Sequence, residues 1–89
     1  MRFRHILVKH EYEAQDILRK LEAGEDFTSL ARKFSTCGSA ANGGDLGDLT
    51  GKMNRLDDDF REAAETLKVG DRSLPVRTRF GYHLILRLS

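Results

Sequence analysis

Both ends of this chain read as β-strands, and the rest of the molecule has to be arranged around them. Phe3–Lys9 and Tyr82–Leu88 are rich in β-branched, aromatic and aliphatic residues whose side chains alternate between two faces. With 89 residues there is room for one domain, spanning residues 1–89. Terminal strands in so small a sheet often meet at its middle. In the first strand Ile6 and Val8 share one face, and Phe3, His5 and Leu7 share the other. In the last, Tyr82, Leu84, Leu86 and Leu88 alternate with His83, Ile85 and Arg87.

Between these strands the periodicity changes. Ala14, Ile17, Leu18 and Leu21 form one apolar stripe at helical spacing, predicting a helix over Glu11–Ala23 that Gly24 ends. Asp26 caps a second helix, Phe27–Phe34, whose stripe is Phe27, Leu30, Ala31 and Phe34. Ser35–Gly51 is rich in small and turn-forming residues and reads as a loop running into a short strand near Asp45–Leu49. The acids Asp57, Asp58 and Asp59 complement a helix dipole and predict a third helix over Asp58–Lys68, closed by Gly70. Leu74–Thr78 reads as a strand, and its Pro75 favours an edge or a strand start. Arg79–Gly81 is a turn. The order is β-α-α-β-α-β-β. Without regular βαβ alternation this is an α+β fold with a largely antiparallel sheet.

Composition removes several function classes. A net charge of +1 lacks the basic excess of a general nucleic-acid binder. One cysteine excludes an internal disulfide and any zinc site needing two cysteines of this chain. No apolar run nears the roughly 18 residues of a membrane span. Met1–Lys9 is too short and polar for a signal peptide. Taken as a whole chain, the sequence is expected to be cytoplasmic and monomeric.

Few residues carry chemistry. His5 and His83, on the two terminal strands, can lie side by side and hydrogen-bond through neutral rings, as a structural pair or as part of a site. His10, at a strand end, is expected to be exposed. Cys37 sits in the Gly/Ser-rich loop, either as a small buried apolar residue or, with a histidine in reach, as a nucleophile of a Cys–His hydrolase. Gly43–Gly47 is not a phosphate loop, because the Gly-Lys at 51–52 is followed by Met53 rather than Ser or Thr. Leu56, Phe60 and Phe80, with Met53 nearby, can together line a small apolar pocket near the histidines.

In order along the chain stand Arg4-His5-Ile6-Leu7-Val8, Ser35-x-Cys37-x-Ser39, Gly43-Gly44-Asp45-Leu46-Gly47, Phe60-x-Glu62-Ala63-Ala64, Leu67-x-Val69-Gly70 and Thr78-Arg79-Phe80-Gly81-Tyr82-His83. This ordered set resembles the parvulin family of peptidyl-prolyl cis/trans isomerases over essentially the whole chain. The resemblance implies a four-stranded antiparallel sheet flanked by helices, with an active site on its concave face. It implies that His5 and His83 are the family's paired histidines, that Cys37 is its active-site cysteine, and that Thr78 hydrogen-bonds one histidine. It implies further that Phe60 and Phe80 wall a proline pocket, that proline-containing polypeptides are the substrates, and that no metal or cofactor is needed. A proline- or unfolded-peptide-binding chaperone module with little isomerase activity is the alternative.

Two features depart from the family's pattern. Members usually read Met-Val-Pro-x-Phe before the third helix, whereas this chain reads Met53-Asn54-Arg55-Leu56-Asp57-Asp58-Asp59-Phe60. Because Phe60-x-Glu62-Ala63-Ala64 fixes the register, Leu56 is favoured over Met53 for the methionine's place. The loop Ala40-Ala41-Asn42 carries no basic residue, so no preference for a phosphorylated residue before proline is expected.

Overall fold

The computed structural model describes residues 1–89. The elements are β1 (Arg2–Val8), α1 (Glu11–Glu22), α2 (Phe27–Phe34), β2 (Asp45–Asp48), α3 (Asp58–Thr66), β3 (Val76–Thr78) and β4 (Gly81–Arg87), with short 3-10 turns at Gly38–Asn42 and Met53–Arg55. The strands form one four-stranded sheet in the order β2-β1-β4-β3, every neighbouring pair antiparallel. The first and last strands therefore meet in the middle, as their position in the sequence predicts. Their register sets Leu7 opposite His83 and His5 opposite Ile85.

Side-chain alternation divides the core between the two faces of the sheet. Ile6, Val8 and Leu84 pack against Ala14, Ile17 and Leu21 of α1 and Phe27, Leu30 and Ala31 of α2. On the opposite face Phe3 and Ile85 pack against Phe60 and Ala64 of α3, with Leu46, Leu49, Met53, Leu56, Leu67 and Val76 around them. His5 and His83 point to this second face, beyond the end of the Phe3–Ile85 cluster.

The helix starts are capped as read. Asp26 accepts from the Ser29 N–H at 3.0 Å, and Asp57 accepts from the Asp59 N–H at 3.0 Å. His10 is exposed, and its backbone N–H donates to the Glu13 carboxylate at 3.0 Å.

Most ends lie within one residue of the sequence reading, and two fall short of it by two residues. The third helix stops at Thr66 rather than Lys68, because Leu67 turns to extended backbone (φ −76°, ψ 140°) and packs against the Phe3–Phe60 cluster. The third strand starts at Val76 rather than Leu74. Pro75 has no N–H to offer the ladder. Ser73 instead reaches β4, donating its N–H to Ile85 O at 2.8 Å and accepting the Ile85 N–H on its hydroxyl at 3.0 Å.

Candidate active site

The site begins with the two central strands. His5 and His83 are diagonal neighbours on the same face of the β1–β4 ladder. Their rings stack with centroids 5.2 Å apart and planes 17° from parallel, and the two Nδ1 atoms are 3.0 Å apart. Phe60, delivered by the first turn of α3, sets its ring nearly perpendicular to both, with centroids 5.5 Å from His5 and 5.1 Å from His83. Both histidines are buried, at 5% and 4% exposure.

That burial fixes their charge. Desolvation lowers the pKa of both imidazoles from 6.5 to about 4. For His5 the nearby His83 adds to the lowering, while for His83 the Asp57 carboxylate acts in the opposite sense. At neutral pH both rings are uncharged, so one Nδ1 carries a proton and donates it to the other. The chain of bonds continues from His83 Nε2 to Thr78 Oγ1 at 2.7 Å, and that hydroxyl also accepts the Phe80 N–H at 3.2 Å. With the Thr78 hydroxyl donating to His83 Nε2, His83 donates from Nδ1 and His5 carries its proton on Nε2; with that hydroxyl accepting, His5 donates from Nδ1 and its Nε2 is unprotonated. His5 Nε2 is buried without a protein partner.

The loop that carries Cys37 is stitched to β1. The Leu7 N–H donates to Ser35 Oγ at 3.0 Å, and the Thr36 N–H donates to Leu7 O at 2.8 Å. Cys37 donates its own N–H to the same Ser35 hydroxyl at 3.4 Å. At the far end of the loop, the His5 N–H donates to Gly44 O at 3.0 Å. Gly44 has φ +83°, and a Cβ there would stand 2.2 Å from His5 O. Only glycine lets the two backbones approach this closely.

Together these elements enclose a cleft of about 290 Å³, lined by His5, Leu7, Cys37, Leu46, Arg55, Leu56, Asp57, Phe60, Phe80 and His83. Six of these residues are hydrophobic, which suits an apolar ligand. A second groove along α1, lined by Asp16, Arg19, Lys20, Ala23 and Glu25, has a single hydrophobic residue and no such character. The site residues read from the sequence thus come together in one place, with two distinctions. Thr78 lies behind His83, one hydrogen bond away from the cleft. Met53 is absent from the cleft lining and packs instead against the Phe3–Phe60 cluster, so it is Leu56 that faces the opening. Neither histidine is hydrogen-bonded to Cys37.

Four lining residues were not singled out from the sequence: Leu7, Leu46, Arg55 and Asp57. Leu7 had a signal, since it shares the His5 face of β1. Asp57 reads as a helix cap and is one. Its second oxygen faces Arg79 Nε at 3.7 Å across the cleft mouth.

The rotamase family model, the PPIC-type PPIASE domain, matches residues 5–89. The chain belongs to this family. It is 52% identical over 87 residues to the foldase protein PrsA of Geobacillus kaustophilus, covering 96% of this chain and 30% of that protein. Among solved structures, PrsA from Bacillus subtilis superposes with a TM-score of 0.90 at 42% identity, covering 100% of this chain and 34% of that one. NmPin, the parvuline of Nitrosopumilus maritimus, superposes with a TM-score of 0.85 at 41% identity, covering 100% of this chain and 95% of that one. The chain thus spans under a third of the length of the curated PrsA relative, and 95% of the NmPin chain.

Proposed function

We propose that the cleft accelerates rotation about Xaa–Pro bonds in polypeptide chains and that the protein thereby assists folding. The observation that carries this reading is the apolar cleft whose inner end is a pair of uncharged, mutually hydrogen-bonded imidazoles. The foldase and parvuline relatives support it.

The chemistry asks for little more. The X–Pro amide resists rotation through its partial double-bond character, with a barrier of about 18–20 kcal/mol. Uncatalysed exchange takes tens to hundreds of seconds. No covalent bond has to break, so a site that binds the twisted amide better than either planar isomer is a catalyst. Leu56, Phe60 and Phe80 hold the proline ring and exclude water. Removal from water weakens amide resonance, because the planar form is the more charge-separated one. His5, His83 and Cys37 set the polarity around the rotating carbonyl. The proton held between the imidazoles keeps that wall dipolar without placing a full charge in it. Cys37 acts through size and polarity rather than as a nucleophile. On this reading a single copy of the chain is the acting unit. With no basic residue within Ala40–Asn42 itself, and with the nearby Arg4 guanidinium engaged by the Asn42 and Gly43 carbonyls, the residue before proline need not be phosphorylated.

NMR exchange of short Xaa-Pro peptides, with and without the protein, tests this reading. Acceleration for at least one residue before proline is expected, and none for any sinks it. Cys37→Asp is expected to keep most activity while alkylation of Cys37 abolishes it by bulk. Loss of activity in both Cys37→Ala and Cys37→Asp would restore a covalent role. The rebuilt rim at Met53–Asp57 favours a second reading, a module that binds proline-containing chains with little turnover. Peptide binding without acceleration would select it.

A further inference from the structure

The mouth of the cleft is spanned by a contact that neither the cap of α3 nor the β3–β4 turn requires. Asp57 divides its carboxylate. Oδ1 accepts the Asp59 N–H at 3.0 Å and so fixes the side chain, while Oδ2 faces Arg79 Nε at 3.7 Å. Arg79 in turn lies over the Phe80 ring, its Cζ 4.9 Å from the centroid. Phe80 is 58% exposed and stands outside both buried apolar clusters. The guanidinium lies against its ring, and its backbone N–H donates to the Thr78 hydroxyl.

We propose that Asp57 and Arg79 form a strap across the cleft mouth that holds the Phe80 ring in place as a wall, making both of them positioning residues for peptide binding. The inference rests on the proline-peptide reading of the cleft. Asp57 is anchored by α3 and Arg79 by the β3–β4 turn, so the strap couples two elements that flank the opening. A 3.7 Å ion pair whose arginine is mostly in solvent adds little to stability, even with the Asp57 side chain half-buried, and a cation over an exposed ring adds a comparable amount. The effect therefore lies in where Phe80 stands. A free phenylalanine at the rim would sample several rotamers, and binding would have to select one of them.

The test compares Arg79→Ala, Arg79→Lys, Asp57→Asn and the double variant Asp57→Asn/Arg79→Ala. Asparagine keeps the oxygen that caps α3. KM and kcat come from peptide exchange, Kd from NMR titration of an Ala-Pro peptide, and the Phe80 ring signals report order without any ligand. Arg79→Ala and Asp57→Asn are each expected to raise KM and Kd about two- to fivefold with kcat nearly unchanged. Arg79→Lys is expected to recover most of the loss, and the double variant to bind no worse than either single one. Added salt is expected to weaken binding by the wild type and to leave Arg79→Ala unaffected. Unchanged Kd and unchanged Phe80 signals in Arg79→Ala overturn the strap. So do losses that multiply in the double variant, or an equal loss in Arg32→Ala, which removes the same charge from the exposed side of α2. A wild type that binds peptide without accelerating exchange overturns the isomerase reading alone, since Kd and the Phe80 signals still decide the strap.

Discussion

His5 and His83 touch at Nδ1, 3.0 Å apart, although 78 positions separate them in the chain. The contact exists because the two terminal strands pair at the centre of the sheet, and its burial keeps both rings uncharged. Proton binding by the pair is therefore tied to folding.

That link gives stability a defined pH dependence. Each imidazole has its pKa lowered from 6.5 to about 4. Between those values the unfolded chain binds protons that the folded one does not, so stability is full above 6.5, falls as pH drops toward 4, and levels off below. The first ring to protonate costs on the order of 3 kcal/mol, and the second follows as part of a coupled pair. Asp45 and Asp48, held low mainly by N–H donors from Gly47 and Thr50, weaken the fold only below 3.8, a separate window. Urea midpoints should hold level from pH 7.5 to about 6.5 and then decline down to pH 4.5. A flat profile would contradict the buried neutral pair.

Thr78 holds the outer end of the network. Thr78→Val keeps the shape but strands both His83 Nε2 and the Phe80 N–H, and should cost about 1–3 kcal/mol. Thr78→Ser should restore most of it. Equal stability of the valine and serine variants in urea would remove the hydroxyl from the account.

Leu56 and Met53 differ in their expected effect on binding. Leu56→Ala should raise KM for Xaa-Pro peptides severalfold, because Leu56 faces the opening, and should also lower the urea midpoint, because it packs on the Phe3–Phe60 cluster as Met53 does. Met53→Ala should leave KM unchanged and lower stability by about 1–2 kcal/mol, because Met53 packs on the Phe3–Phe60 cluster. The opposite pattern would put Met53 in the pocket.

Gly44 and Gly47 differ in a way that one substitution exposes. Both have positive φ, so alanine strains either position. A Cβ at Gly47 meets nothing within 4 Å, whereas one at Gly44 meets His5 O at 2.2 Å. Gly44→Ala should therefore destabilise more than Gly47→Ala by about 1–3 kcal/mol, and its amide spectrum should show shifts centred on His5. Equal costs would mean that the loop and β1 part freely.

Much of this arrangement is legible in the sequence because it follows from short-range rules. Alternation puts His5 with Leu7, and His83 with Ile85, on the α3 side of the sheet, and the helical stripes name most of the core. The helix-entry register through Phe60-x-Glu62-Ala63-Ala64 is enough to bring Leu56 rather than Met53 to the opening. What was not legible depends on how segments fold back on one another. Arg55 and Asp57 reach the cleft because a 3-10 turn at Met53–Arg55 swings the chain over the site, and nothing in their spacing announces that turn. Leu46 arrives by the pairing of β2 with β1. The short β3 reflects a competition that Ser73 wins over Leu74 by offering both an N–H and a hydroxyl to Ile85.

The pairing of β1 with β4 has one more consequence. Leu88 donates its N–H to Arg2 O at 2.8 Å, and the Arg2 N–H reaches Ser89 O at 3.3 Å, so the chain enters and leaves at one corner of the molecule. A polypeptide of any length can be continued from both points without crossing the cleft or prying the sheet apart. The domain is thus built like a cassette: splicing it into a surface loop of another protein would ask the host only to bring two neighbouring residues together.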